Sequence, residues 1–190
     1  MPDFTKLQAA GNDFLIVRVD NVEKLHRAAE FSIAICDRKL GAGADGIVFV
    51  GQPSTLPGNF ESRIFNADGS EAEVSGNGTR CVAAYLYYYG LCSGVEVSIL
   101  THAGIKKGRI VSQLGRRYEF EFDMGRPLLV SNQIPVALDP PEELVVGRDL
   151  QIGDTVYKIT CSSMGNPHCT IFVEDLDATD IDGIGAIVER

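Results

Sequence analysis

Four short turns carry most of the residues that could bind or transform a small molecule: Gly11-Asn12-Asp13-Phe14, Asn66-Ala67-Asp68-Gly69, Ser75-Gly76-Asn77-Gly78 and Gly165-Asn166-Pro167-His168. Taken singly, each is an ordinary turn, because Asn and Gly tolerate left-handed backbone conformations. Taken together they offer more. An asparagine amide both donates and accepts, and glycine lets a ligand approach backbone N–H groups closely. Gly76-Asn77-Gly78 also opens the strongest helical pattern of the chain, where unpaired amides point outward and can cradle a carboxylate or another small anion. The Gly-Lys-Ser/Thr of a nucleotide loop is missing. Gly41-Ala42-Gly43-Ala44-Asp45-Gly46 has the letters of GxGxxG, but it follows a helical pattern and leads into a strand, the reverse of a dinucleotide-binding turn. Ser75 has two readings from local sequence, a helix cap or a catalytic position.

The elements that must position these turns are short. Residues 4–7 and 14–19 read as strands around the first turn, and 22–36 as a helix burying Leu25, Ala28, Ala29, Phe31, Ala34 and Ile35. The apolar run 47–50 and residues 63–66 read as strands. Val82, Tyr85, Leu86 and Tyr89 recur at helical spacing from Ser75 onward, and Gly90 supplies the stop. Period-two alternation follows in 95–99 and 118–124, with strands also at 105–111, 155–161 and 170–173. Asp139-Pro140-Pro141-Glu142-Glu143 is the best linker, since tandem prolines remove amide donors and impose extended backbone. Ile181, Ile184, Ile187 and Val188 predict a last helix whose apolar stripe needs a partner.

Composition excludes several function classes. The 190 residues are 45% hydrophobic and 23% charged, an ordinary globular balance. A net charge of −9, with basic residues clustered only at Lys106-Lys107-Gly108-Arg109 and Arg116-Arg117, argues against a nucleic-acid partner. No stretch approaches the ~20 apolar residues of a membrane helix. The N-terminus lacks the order of a signal peptide, so the expectation is a cytoplasmic protein with reduced thiols. Five scattered cysteines without CxxC spacing and three histidines predict no metal site.

Five blocks in order give a specific resemblance: Lys6-Leu7-Gln8-Ala9-Ala10-Gly11-Asn12-Asp13-Phe14, Asp37-Arg38…Gly43-Ala44-Asp45-Gly46, Arg63-Ile64-Phe65-Asn66-Ala67-Asp68-Gly69-Ser70-Glu71, Gly76-Asn77-Gly78-Thr79-Arg80-Cys81 and Ser163-Met164-Gly165-Asn166-Pro167-His168-Cys169. The chain resembles diaminopimelate epimerase. The resemblance implies an α/β (α+β) fold of two similar halves, each a strand barrel around a central helix. Residues 1–125 would form one complete half and 126–190 the start of the second. It implies cofactor-independent epimerisation of LL-diaminopimelate to the meso form, with a cysteine from each half on opposite faces of the α-carbon. By the same resemblance Asn12, Asn66, Gly76, Asn77 and Asn166 would bind a small amino-acid substrate, and His168 would support catalysis. Homodimerisation stays open.

Two departures bear on that expectation. Ser75 stands where the family has its first catalytic cysteine, whereas Cys81 matches a non-catalytic one. The family's later segments, with the second cysteine, have no counterpart before Arg190, so the chain by itself is expected to be inactive and poorly soluble. A serine hydroxyl ionises near water's ~15.7. A helix N-terminus supplies at most ~2 kcal/mol, about 1.5 pKa units at ~1.36 kcal/mol each. Ser75 therefore stays protonated. A related racemase, isomerase or dehydratase acting on another small acid, and a non-catalytic binding remnant, are the alternatives.

Overall fold

The computed structural model describes residues 3–53, 60–136 and 144–188. The chain divides into two compact units, Met1–Met124 and Gly125–Arg190.

In the first unit, β1 (Thr5–Ala9) and β2 (Asn12–Arg18) form a hairpin. Its turn places Ala10 at φ 52° and Gly11 at φ 86°, the two-residue geometry that suits the twist of paired strands. β3 (Gly46–Gly51) lies parallel to β2 after a crossover through α1 (Ala28–Cys36). β4 (Phe60–Asn66) returns antiparallel to β3, and the two-residue β5 (Glu71–Ala72) folds back on it. A second crossover, α2 (Gly76–Tyr88), leads to β6 (Glu96–Thr101) parallel to β4, followed by the antiparallel β7 (Gly104–Leu114) and β8 (Arg117–Asp123).

The helices take opposite faces of this sheet. Leu15, Val17, Ile47 and Phe49 pack with Ala28, Ile35 and Cys36 on the α1 side. Phe14, Ile16, Val48, Val50 and Ile64 pack with Cys81, Val82, Tyr85 and Leu86 on the α2 side. Covering both faces explains why β3 is buried along its whole length and reads as an unbroken apolar run. α2 touches β1 and β2 at one end of the sheet and β8 at the other, so the sheet curls around it. The class is α+β, as expected.

The helix expected over 22–36 is divided. Val22–Lys24 is a 3-10 turn capped by Asn21, whose Oδ1 accepts from the Glu23 amide at 2.7 Å. Arg27 then adopts φ 54°, which a continuous right-handed helix excludes, and α1 begins only at Ala28. The buried face changes accordingly: Ala28, Ser32, Ile35 and Cys36 are inside, while Ala29 and Ala34 are exposed. At the end of α2, Tyr89 is half exposed because the helix has stopped before it, and its hydroxyl bonds Thr5 Oγ1.

The second unit has a three-stranded antiparallel sheet of β9 (Arg148–Ile152), β10 (Thr155–Ser163) and β11 (Pro167–Ile171). Its described core is Ile134, Val145, Ile159 and Cys161. α3 (Ile181–Val188) buries none of its residues. β11 begins three residues earlier than the sequence pattern suggests, with Pro167 at its first position, where a missing amide donor is tolerated. The proline-rich linker at 139–143 lies outside the described residues. No helix among the described residues is long and apolar enough to cross a membrane.

Candidate functional site

Strand register gathers the first unit's candidate residues at one end of its sheet. Phe14, Gly46 and Asn66 stand side by side on β2, β3 and β4. Asn12 opens β2 and Asn66 closes β4, so both reach the same rim. α2 starts there too. Gly78 lies against Ile64, two residues before Asn66, and a Cβ on Gly78 would come within 3.0 Å of the Ile64 side chain. Any larger residue at 78 would press on the tip of the Ile64 side chain, so the helix sits close on β4 here.

Ser75 is the N-cap of α2. Its Oγ accepts from the Gly78 amide at 3.0 Å, and its carbonyl accepts from the Thr79 amide and hydroxyl at 2.8 and 2.7 Å. These bonds leave the amides of Gly76 and Asn77 as the first-turn donors not taken up within the helix. Ser75, Gly76 and Asn77 are half-buried, so this helix start is neither sealed in the core nor fully solvated. Arg80 Nη1 is 3.5 Å from Asn77 Oδ1, at the outer limit of a hydrogen bond. The capping geometry is realised, and the cap bond uses acceptor capacity of the hydroxyl while its proton stays available to donate.

Asn12 is held by charges that the sequence analysis assigned no role. Its Nδ2 donates to Asp45 Oδ2 at 2.7 Å, and that same oxygen accepts from the Asp13 amide at 3.0 Å. Arg38 donates to both Asp13 oxygens at 2.8 and 3.2 Å and to Asp45 Oδ1 at 2.7 Å. Lys6 completes the cluster, 3.1 Å from Asp13 and 2.6 Å from the Gly43 carbonyl. Arg38 above all, then Lys6, holds the Asp13 carboxyl far below the usual range, against an opposing effect of burial. The Asn12 amide is the largest influence lowering Asp45. The arrangement spends the Asn12 N–H on Asp45 and leaves its Oδ1 as acceptor. Asn66 is fixed similarly, its Nδ2 donating to Ser70 Oγ at 2.9 Å, with Ser70 in turn bonded to Asp68. The signal for the cluster was present as paired charges inside the motif blocks. Its members lie up to 39 positions apart, so only strand register brings them together.

Cys81 lies on the buried face of α2, and burial pushes its thiol up to about 12, which makes it a packing residue. Two hollows of this unit lie at the other end of the sheet. One is lined by Arg18, Val50, Gly51 and Tyr85, the other by Val17, Leu25, Phe31 and Phe49. Among the described residues no group of three or more His, Cys, Asp and Glu side chains is placed to hold a metal ion.

Asn166 and His168 belong to the second unit and meet there, His168 Nε2 lying 3.1 Å from Asn166 Oδ1. The turn between β10 and β11 is tightened by Gly165, at φ 101°, whose amide donates to Ser163 Oγ at 3.2 Å. Pro167 and His168, expected in the turn, are the first residues of β11. His168 is exposed.

The family model described as "Diaminopimelate epimerase" matches residues 4–130. Among curated relatives, the diaminopimelate epimerase of Pelotomaculum thermopropionicum is 41% identical over 189 residues and that of Synechococcus sp. (strain JA-3-3Ab) 40% over 190. Each alignment covers 98% of this chain and 65% of the relative, so the chain spans just under two thirds of their length. Among solved structures, a probable proline racemase from Agrobacterium radiobacter K84 superposes with a TM-score of 0.67 at 15% identity, over 96% of this chain and 52% of that one. A hydroxyproline epimerase from Agrobacterium vitis gives 0.63 at 12%, over the same shares. These two show a shared fold.

Proposed function

The chain belongs to the diaminopimelate epimerase family, and from that premise we propose that it forms part of a cofactor-independent epimerase that inverts the α-carbon of LL-diaminopimelate to give the meso form. The observation that carries the proposal is the shared rim of Asn12, Asn66 and the α2 N-terminus in a chain 41% identical to a protein named for that activity. The acceptor oxygens of Asn12 and Asn66 suit a substrate ammonium group. The Gly76 and Asn77 amides suit a carboxylate, since a helix N-terminus favours negative charge. For the second unit, the family resemblance assigns substrate binding to Asn166 and a supporting role to His168.

Ser75 sets the chemistry of one face. A hydroxyl that caps a helix stays protonated at neutral pH, by the ~1.5 units available from the helix against a starting value near ~15.7. It can donate a hydrogen bond or a proton, or hold a water, but it is a poor base without a partner to take its proton. A cysteine at that position starts near ~8.5 and falls toward neutrality at a helix N-terminus. Ser75→Cys therefore raises the rate at which LL-diaminopimelate takes up deuterium at its α-carbon in heavy water, followed by mass spectrometry in the full-length protein. Absence of exchange and of meso product in both proteins, at high protein concentration, overturns the epimerase reading. The cap bond of Ser75 favours a second reading, a binding protein without turnover. Calorimetric binding of the amino acid without exchange, in both the wild type and Ser75→Cys, supports that alternative. Turnover of hydroxyprolines or unsaturated diacids in place of diaminopimelate supports a related isomerase or dehydratase.

A further inference from the structure

We propose that Cys161 and Cys169 form a redox modification site, a dithiol that a low-molecular-weight disulfide closes into a cross-strand bond beside His168. The two cysteines are register partners on β10 and β11, on the rung next to the Ser162–His168 pair. Directly opposed residues of antiparallel strands project to the same face. The rung is of the non-hydrogen-bonded kind, because the Cys161 amide donates away from β11, to the Val145 carbonyl at 2.9 Å. On such rungs the Cα atoms sit about 4.5 Å apart with side chains at their closest, within the ~4.4–6.8 Å that a disulfide bridges. Both thiols are free, Cys161 buried and Cys169 exposed. Burial first, and then the neighbouring Cys169, push the Cys161 thiol up to about 11, which suits Cys169 as the entry point and Cys161 as the resolving partner. Cys36 and Cys81 are buried in separate clusters of the first unit.

The chemistry balances by two exchanges. The Cys169 thiolate attacks one sulfur of the small disulfide, whose S–S bond breaks and releases one thiolate. Cys161 then gives up its proton and attacks the Cys169 sulfur, releasing the second thiolate. The two protein thiols are oxidised, the small disulfide is reduced to two thiols, and the two protons pass to the leaving groups. The closed bond pins the strands one rung from His168 and two rungs from the Ser163–Pro167 pair that closes the turn carrying Asn166.

The test is titration of the folded chain with oxidised glutathione, acid quench, alkylation in denaturant and tryptic mapping. Both cysteines fall in one peptide, 159–190, which follows Lys158. The expected product is that peptide lighter by two hydrogens and resistant to alkylation, formed while Cys36 and Cys81 remain fully alkylated. Its formation constant is about tenfold or more greater in the folded chain than in urea, the difference that a preset register contributes. Cys161→Ser halts at a glutathione adduct on Cys169. Cys169→Ser, an exposed replacement, removes the reaction from Cys161. A wild-type chain that stops at the Cys169 adduct, stays fully reduced, or closes no more favourably than in urea overturns the proposal. None of these outcomes depends on epimerase activity.

Discussion

The two units of this chain solve the same problem, burying one sheet, to very different degrees. In the first, helices cover both faces, and Leu15, Ile16, Ile47, Val48, Leu86 and Ile99 are wholly enclosed. In the second, the described core is four residues, α3 contributes none to it, and Phe172 is 84% exposed. Both nevertheless present asparagine turns. The contrast teaches that the local geometry of such a turn is set by its own strand ends and hydrogen bonds, as at Asn166–His168, whereas the rigidity behind it comes from the layer beneath.

The largest test of this contrast is native-state hydrogen exchange. Amides of β3 should exchange on the order of a thousandfold more slowly than those of α3, because the former open only with the global transition. Comparable rates would break the comparison. Next, Leu86→Ala should cost about 2–5 kcal/mol in urea unfolding followed by circular dichroism, through the cavity it leaves between α2 and the sheet. Ile187→Ala, on an exposed face, should stay within about 0.5 kcal/mol. Equal losses would show that α3 is as firmly supported as α2.

Asp13→Asn sharpens the comparison at the rim. It removes the carboxylate that Lys6 pairs with and one of the two that Arg38 holds, Asp45 remaining, and should cost about 1–2 kcal/mol at neutral pH, after allowance for solvent screening of the exposed Arg38. The sign follows from the direction of the shift. A carboxyl held below its ordinary 3.8 contributes its full stability above that value and loses it as pH falls from there toward the depressed folded value. The gap between wild type and variant should accordingly be constant from neutrality down to about pH 5 and close in stronger acid. A gap that vanishes already at pH 5–6 would assign the effect to another group. Ser75→Ala removes a cap and should cost about 1 kcal/mol. One substitution should be a gain: Ala10→Gly relieves a left-handed Ala and should stabilise the hairpin by about 0.5–1 kcal/mol, read as a raised melting temperature.

Much of this was legible without coordinates. The alternation in β6 and β8, the spacing of Val82, Tyr85 and Leu86, and the turn glycines each depend on neighbours a few residues away. A local pattern suffices for them. The helix over 22–36 misled because apolar spacing continues across Arg27 while the backbone reverses hand there, a choice made by how the segment seats on β3 and β4. The early start of β11 was hidden for a similar reason: the pairing of Pro167 with Ser163 is decided by the partner strand.

By itself the amino-acid sequence determined the family, most of the strands and helices (β5 and β9 were missed), and the residue types held at each candidate turn, since these rest on short-range pattern and on motif order. Tertiary structure alone decided which of those turns share a rim, that Lys6, Asp13, Arg38 and Asp45 converge behind Asn12, and that Cys161 faces Cys169. The physical reason is range. Propensity and capping act over a turn or two of backbone, but hydrogen bonds between groups tens of residues apart exist only after strand pairing has brought them within reach.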